Sequence, residues 1–217
     1  MKKLNSRVAV WLVLSASLSV ACGSASSTVA PTPPAVPIID QTYEPRSVSD
    51  IGFTSTGGSA VQTFTVGVTG KLAAVDLVVN GGVGGVIAPD PCAQGVTLDV
   101  QIVSTAVDGS PSSQVLATGR LPSNMLPPRS VSAQRPINFM RVDLSPLLDV
   151  AAGNVLAFTA TFSGFRCGEI LGGGNGATPS TYAGGALFYQ FDQNGRSSWF
   201  AVPYLDYYFR TYVLPGR

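Results

Sequence analysis

The stretch VTLDVQIV, residues 96–103, decides the fold class that this sequence predicts. Apolar and polar residues alternate along it, with Val96, Leu98, Val100 and Ile102 on one side and Thr97, Asp99 and Gln101 on the other. Successive side chains of a β-strand point to opposite faces of a sheet, so this period of two predicts a strand with one buried face.

Alternation of the same kind recurs on both sides of this stretch. The further strands that it predicts cover residues 60–67, 75–79, 114–119, 137–144, 156–162, 186–191, 198–202 and 207–213. Turn-forming residues separate several of them, as at 107–111 and 192–195. No stretch has a helical period, apart from a single turn expected at 145–151. About nine short strands without helices between them predict an all-β antiparallel fold, a two-sheet sandwich or jelly roll, over residues 45–217.

The composition excludes several classes of function. The chain has no histidine, which excludes Ser-His-Asp and Cys-His catalytic groups and every histidine metal site. No run of basic residues could follow a phosphate backbone, so we expect no nucleic-acid partner. A hydrolase built on Asp90 and Glu169, from two long loops, is the least favoured alternative. We therefore predict that the protein is not an enzyme.

The N-terminal residues predict export from the cell that makes the protein. Three cations lie within residues 1–7, and a 13-residue apolar run follows at 8–20. This run is too short for a membrane-spanning helix, which needs about 20 residues, and it is typical of a secretory signal peptide. We assign residues 1–21 to that signal.

The sequence LSVAC at residues 18–22 resembles the lipobox of bacterial lipoproteins. The resemblance implies that Cys22 carries lipid acyl chains, palmitate among them, and becomes the first residue of the mature protein. The alternative is an ordinary signal peptide cleaved after Ala21. By resemblance to lipoproteins of bacteria with two membranes, Gly23 in place of an aspartate permits sorting to the outer membrane, and we expect the protein there or at the cell surface. The Pro-rich residues after Cys22 predict an extended spacer, and we place the whole anchor and spacer at 22–44.

The remaining cysteines and several acidic residues predict two features of the loops. With Cys22 lipidated, Cys92 and Cys167 are left to form a disulfide in an oxidising compartment. Strand counting places their loops, 81–95 and 163–185, at the same end of the fold. Loop carboxylates suit calcium, and the candidate ligands of a structural Ca²⁺ are Asp50, Asp90, Glu169 and Asp206. We predict no other cofactor.

Aromatic residues concentrate in the C-terminal third of the chain and predict a ligand platform. Sugars stack on exposed aromatic rings, and the candidate binding residues are Trp199, Tyr208, Tyr212 and the neighbouring Arg210. The alternative is that these rings fill the interior and cover both faces of the sheets.

Four segments together resemble secreted bacterial β-sandwich domains known as choice-of-anchor domains. They are SAVQTFTVGVTGKLAAVDLVV at 59–79, LDVQIVSTAVDGSPSSQVLATGRLP at 98–122, VDLSPLLDVAAGNVLAFTATF at 142–162 and DYYFRTYV at 206–213. The resemblance covers about residues 50–214 and implies similarity to carbohydrate-binding jelly rolls. We expect a non-catalytic, membrane-anchored lipoprotein that binds glycan or another cell-surface polymer. The alternative is a structural or protein-interaction module of the cell envelope with no small ligand.

Overall fold

A computed structural model describes most of the chain after residue 34. The described residues are 35–46, 51–55, 57–81, 96–128, 137–164, 167–174, 182–193 and 196–216, without the side chains of 52–54, 57–59 and 192–196. The predicted signal peptide, Cys22 and most of the predicted spacer lie outside these residues.

Thirteen strands make up almost all of the regular structure in the described residues. They are β1 (Ile38–Tyr43), β2 (Ile51–Ser55), β3 (Gly57–Thr65), β4 (Gly70–Asn80), β5 (Leu98–Thr105), β6 (Pro111–Leu121), β7 (Phe139–Val150), β8 (Val155–Phe162), β9 (Glu169–Gly173), β10 (Leu187–Gln193), β11 (Arg196–Val202), β12 (Asp206–Tyr207) and β13 (Phe209–Pro215). One short 3-10 helix covers Ser123–Met125. In this part of the chain no helix is long and apolar enough to cross a bilayer.

Hydrogen bonds connect these strands into one antiparallel sheet. The main path runs β1-β13-β4-β7-β6-β5-β8-β3-β10-β11, and β9 joins β2 and β12 to the end of β4. The all-β antiparallel prediction is confirmed. The strand count is higher than predicted, because β1, β2, β9 and β12 are short or Gly-rich and lack a clear alternation. Their hydrogen-bond partners come from distant parts of the chain, which no local pattern contains.

The predicted helical turn at 145–151 is wrong. Strand β7 continues to Val150, and its last residues pair with β4, Leu148 with Leu72 and Asp149 with Lys71. A register shift in β4 between Leu72 and Ala74 accommodates the irregular middle of β7. The pairing of β7 with β4 therefore contains a β-bulge. A bulge bends a strand locally and does not end it.

The core lies between parts of the sheet that are far apart in strand order. The rings of Phe158 in β8 and Phe209 in β13 meet edge to face with centroids 5.3 Å apart, and Phe64 in β3 lies 6.3 Å from each. Four strands separate β8 from β13 in the sheet, so the sheet curves back until its inner faces meet. Burial of each such ring contributes roughly 1.5–3 kcal/mol.

Strand β1 lies inside the segment predicted as spacer, and one carboxylate holds it in place. Asp40 Oδ1 accepts hydrogen bonds from the backbone N–H groups of Gly67 (2.9 Å) and Val68 (2.6 Å). Its other oxygen accepts one from the Thr211 hydroxyl in β13 at 3.3 Å. The sheet thus begins at Ile38, before the predicted domain boundary at residue 45.

Candidate functional site

The structure separates the four residues of the predicted aromatic platform. Tyr208 is only 3% exposed and packs with Val78 and Leu171. Trp199 lies on β11, at the end of the strand order, and packs half-buried against Val61 and its neighbours. Of the predicted set, only Arg210 and Tyr212 lie together, two positions apart on β13.

Arg210 and Tyr212 belong to a cluster that we call the arginine–aromatic face. Its members are Glu44, Asp76, Phe139, Arg141, Arg210 and Tyr212. The register of β13, β4 and β7 brings three of them into one row, because Arg210 lies opposite Asp76 and Asp76 lies opposite Arg141. The alternate residues of β4, such as Val75 and Leu77, fill the core, so this row lies on the outer face of the sheet.

Each arginine of the face covers an aromatic ring. The guanidinium carbon of Arg210 lies 3.9 Å from the centroid of Phe139, and that of Arg141 lies 4.2 Å from the centroid of Tyr212. Such cation–π pairs contribute about 0.5–1 kcal/mol each at exposed sites. The stacking also restricts the movement of both arginine side chains.

A two-pronged ion pair fixes the position of Arg210. Its Nε and Nη2 atoms donate to the two carboxylate oxygens of Glu44 at 2.7 and 2.8 Å. The hydrogen bond from Arg210 lowers the pKa of Glu44, and the same bond raises the pKa of Arg210. The fork joins the residue after β1 to β13, so it also fastens the N-terminal edge of the sheet.

Asp76 is a nearly buried carboxylate at the centre of the face. The residue is 6% exposed, and its Oδ2 atom accepts a hydrogen bond from the Tyr212 hydroxyl at 2.7 Å. Its Oδ1 atom has no hydrogen-bond partner among the described residues. Burial raises the pKa of Tyr212, and the bond to Asp76 raises it further. Tyr212 is therefore a neutral hydroxyl donor at physiological pH.

The charges of the face balance. Two guanidinium groups, of Arg141 and Arg210, lie among the two carboxylates of Glu44 and Asp76, which gives a formal sum of zero. Planar donors and acceptors beside aromatic rings can bind hydroxyl-rich ligands, whereas a face of zero net charge has little attraction for a polyanion.

The predicted calcium ligands are not brought together as far as the structure describes them. Glu169 lies at the start of β9, where it accepts a hydrogen bond from Asn80 Nδ2 at 2.9 Å. Asp206 is buried, accepts one from Gln62 Nε2 at 2.7 Å and pairs with Gly173 at the other end of β9. Gly173 lies four positions along β9 from Glu169, a distance of about 13 Å.

No group of three or more acidic or cysteine side chains suited to a metal occurs among the described residues. Asp50 and Asp90 lie outside those residues. The bound Ca²⁺ therefore stays a prediction.

The predicted disulfide has one cysteine within the described residues. Cys167 is buried, and a side chain placed on Gly164 would meet its sulfur and Val96. Asn80 precedes the segment that contains Cys92 and contacts Glu169. Val96 follows that segment and lies close to Cys167. Cys92 itself lies outside the described residues, so the Cys92–Cys167 bond stays a prediction.

Four residues of the arginine–aromatic face were not predicted from the sequence. They are Glu44, Asp76, Phe139 and Arg141. The alternation does place Asp76 and Arg141 on outward faces of predicted strands. Their proximity to β13 depends on a sheet order in which β13 pairs with β4 and β4 with β7, which is not the order of the strands in the chain.

No protein-family model matches this chain, and no curated protein matches it at a significant level. The structure itself shows a mostly antiparallel β-sheet domain with a charged and aromatic outer face.

Proposed function

We propose that this protein is an exported, non-catalytic lipoprotein whose β domain binds a neutral glycan at the arginine–aromatic face. The observation that carries the proposal is the pair of arginine-covered rings around the nearly buried carboxylate of Asp76. The face is fixed before any ligand arrives, because stacking and ion pairing hold its long side chains.

Hydrogen-bonding chemistry favours a polyhydroxylated ligand. Arg141 and Arg210 offer planar sets of donors, and Glu44 offers acceptors. The nearly buried Asp76 holds the Tyr212 hydroxyl in place. Neighbouring hydroxyl groups of a sugar can donate and accept at the same time, so they match such a mixed surface. The parts of the half-buried Phe139 and Tyr212 rings that the guanidinium groups leave exposed add apolar contact for sugar C–H groups.

Charge favours a neutral ligand over an acidic one. Each guanidinium of the face has a carboxylate nearby, Glu44 for Arg210 and Asp143, at 3.0 Å, for Arg141. An anionic polymer would have to displace these carboxylates, whereas a neutral sugar can hydrogen-bond around them.

The proposed setting is the cell surface. Lipid on Cys22 would hold the protein in a membrane, through residues 22–34 as a spacer, with the β domain directed outward. Residues 35–217 would adopt the sandwich or jelly-roll variant of the β fold, related to choice-of-anchor domains. Metabolic labelling with palmitate tests the anchor: a labelled wild type and an unlabelled Cys22→Ser variant are expected, and an unlabelled wild type would contradict lipidation.

A screen of the full chain in detergent against an array of neutral and acidic glycans, with and without Ca²⁺, tests the binding proposal. We expect saturable binding to neutral glycans, weakened about tenfold by Arg141→Ala through loss of charged hydrogen bonds. The matched control is Lys71→Ala, because Lys71 is another exposed cation paired with an aspartate on the same sheet. Failure of every neutral glycan to bind would refute the proposal.

A second candidate function is a contact with another envelope protein through the hairpin of β10 and β11. The rings of Phe191 and Phe200 lie on its inner side, are 53% and 59% exposed, and contact each other with centroids 6.3 Å apart. Exposed adjacent rings beside an edge strand are typical of protein contacts. Cross-linking in whole cells, lost on Phe200→Ser, is the expected result of such a contact.

A further inference from the structure

A polar groove lies next to the arginine–aromatic face, at the junction of β6 with β7. It has a volume of about 480 Å³, and the side chains that matter here are Asp99, Gln101, Thr118, Arg120, Asp143 and Ser145. This volume falls within the range of ordinary small-molecule sites, about 300–1,000 Å³.

The groove exists because β6 and β7 pair at one position only, Thr118 with Ser145. Next to that position Gly119 packs against the β7 backbone so closely that a Cβ atom there would lie 2.5 Å from the Asp143 carbonyl oxygen. The two strands therefore approach closely at Gly119 and have one paired position beside it. The outward side chains of β5, β6 and β7 line the opening that results.

Ion pairs already orient the polar groups of the groove. Arg120 donates through Nε to Asp99, which also accepts a hydrogen bond from the Thr97 hydroxyl at 3.2 Å. Gln101 lies opposite Thr118 in the pairing of β5 with β6, so the two side chains form a neutral row beside the charged pair.

Asp143 joins the groove to the arginine–aromatic face. It lines the groove and accepts a hydrogen bond from Arg141 Nε at 3.0 Å, while Arg141 covers Tyr212. A continuous polar surface thus runs across the outer sides of β13, β4, β7, β6 and β5. Four strand spacings of about 4.8 Å give it a length of about 19 Å.

We propose that the groove is a second subsite for the same neutral sugar chain, which crosses the strands from the arginine–aromatic face to β5. The proposal rests on the proposed function, and it adds the direction and minimum length of the ligand. The surface is long enough for an oligosaccharide of several units, so a single sugar occupies only one of the two subsites.

The groove residues select against acidic chains. One arginine and two aspartates give the groove a formal charge of −1, from Arg120, Asp99 and Asp143. A uronic acid or sulfated unit would face these carboxylates without a spare cation. The neutral amide and hydroxyl groups of Gln101 and Thr118 match unsubstituted sugar hydroxyls.

Two groove variants of the full chain in detergent test the subsite. Gln101→Ala with Arg120→Ala removes exposed hydrogen-bonding groups, and Thr118→Trp fills the space. The probes are dextran, mannan, xylan and a soluble β-glucan, with alginate as the acidic comparison, titrated onto immobilised protein. We expect about tenfold weaker binding of the neutral polysaccharide by each variant, since several hydrogen bonds are lost. Thermal unfolding at the wild-type temperature verifies that each variant is folded.

The results separate the two proposals. Neutral binding that Arg141→Ala weakens and both groove variants leave unchanged would overturn the second subsite and retain the proposed function. Tighter binding of alginate than of every neutral chain would overturn the selection against acidic ligands. Absence of all neutral binding would overturn both. The second subsite is supported if the protein binds a long neutral polysaccharide more tightly than a single sugar unit of the same kind.

Discussion

Strand β13 and the hairpin of β10 and β11 both carry several aromatic residues, yet the structure uses them in different ways. In β13, Phe209 is fully buried in the core, while Tyr212 on the other face is covered by Arg141. In the hairpin, Phe191 and Phe200 are exposed on the inner face, and Trp199 packs on the outer face.

The position of each element in the sheet explains this difference. Strand β13 lies between β1 and β4, so both of its edges are hydrogen-bonded. Its inner face packs on Phe64 and Phe158, and Arg141 covers Tyr212 on its outer face. Strand β11 is at one end of the path, and the core does not extend beneath its tip. The same aromatic alternation therefore gives a core face and the arginine–aromatic face in one strand, and exposed rings in the other.

The largest expected effect is on the stability of the β13 side. Phe209→Ala leaves a cavity among Phe64, Phe158 and Tyr182 and should lower the free energy of unfolding by about 3–5 kcal/mol. The matched variant Phe200→Ala removes an exposed ring and should cost less than about 1 kcal/mol. Urea unfolding followed by circular dichroism measures both, and equal losses would contradict the comparison.

The second largest expected effect is a loss of stability at alkaline pH. Burial raises the pKa of Tyr207 and of Tyr182 above the usual value of 10.0. The two tyrosine hydroxyls of the unfolded state lose their protons at lower pH than those of the folded state. The stabilisation that depends on the neutral hydroxyls is therefore fully present below pH 10 and is lost as the pH rises above it. Urea midpoints between pH 8 and pH 11 should fall, and Tyr182→Phe should reduce the slope. A flat profile would contradict burial of these hydroxyls.

Trp199→Ala should have an intermediate effect on stability and none on binding. The half-buried ring packs on Val61, Val103 and Ala157, so its loss should cost about 1–2 kcal/mol. Urea unfolding measures the cost, and a glycan titration verifies that affinity is retained. Loss of glycan affinity in a folded Trp199→Ala protein would restore the aromatic platform that the sequence predicted.

The smallest expected effect belongs to the ion pair that fastens β1. Glu44→Gln weakens the fork to Arg210 and should cost about 0.5 kcal/mol, because partly exposed ion pairs contribute little. Arg210 lowers the pKa of Glu44, so this contribution is present above pH 4.5 and is lost as pH falls below it. The difference in urea midpoint between wild type and variant should therefore disappear at low pH, and a constant difference would contradict the pairing.

The sequence predicted the all-β antiparallel class and two of the six residues of the candidate site. Alternation at 96–103 and 156–162 identified strands correctly, because their inner residues fill the core and their outer residues meet solvent. It missed β1 and β9, since partners distant in sequence determine these short strands.

The site was harder to predict because it depends on strand order. Tyr212 and Arg210 were selected for their residue types, whereas Phe139 and Arg141 join them only through the pairing of β13 with β4 and β4 with β7. Tyr208 and Trp199 were grouped with them by residue type and are separated by the same order.

The most direct test of the central claim is a comparison of dissociation constants for one neutral polysaccharide with the wild type, Tyr212→Ala and Trp199→Ala. The arginine–aromatic face predicts about tenfold weaker binding for Tyr212→Ala and a change within about twofold for Trp199→Ala. Equal affinity of Tyr212→Ala and wild type, with both variants folded, would contradict the assignment of the ligand to this face.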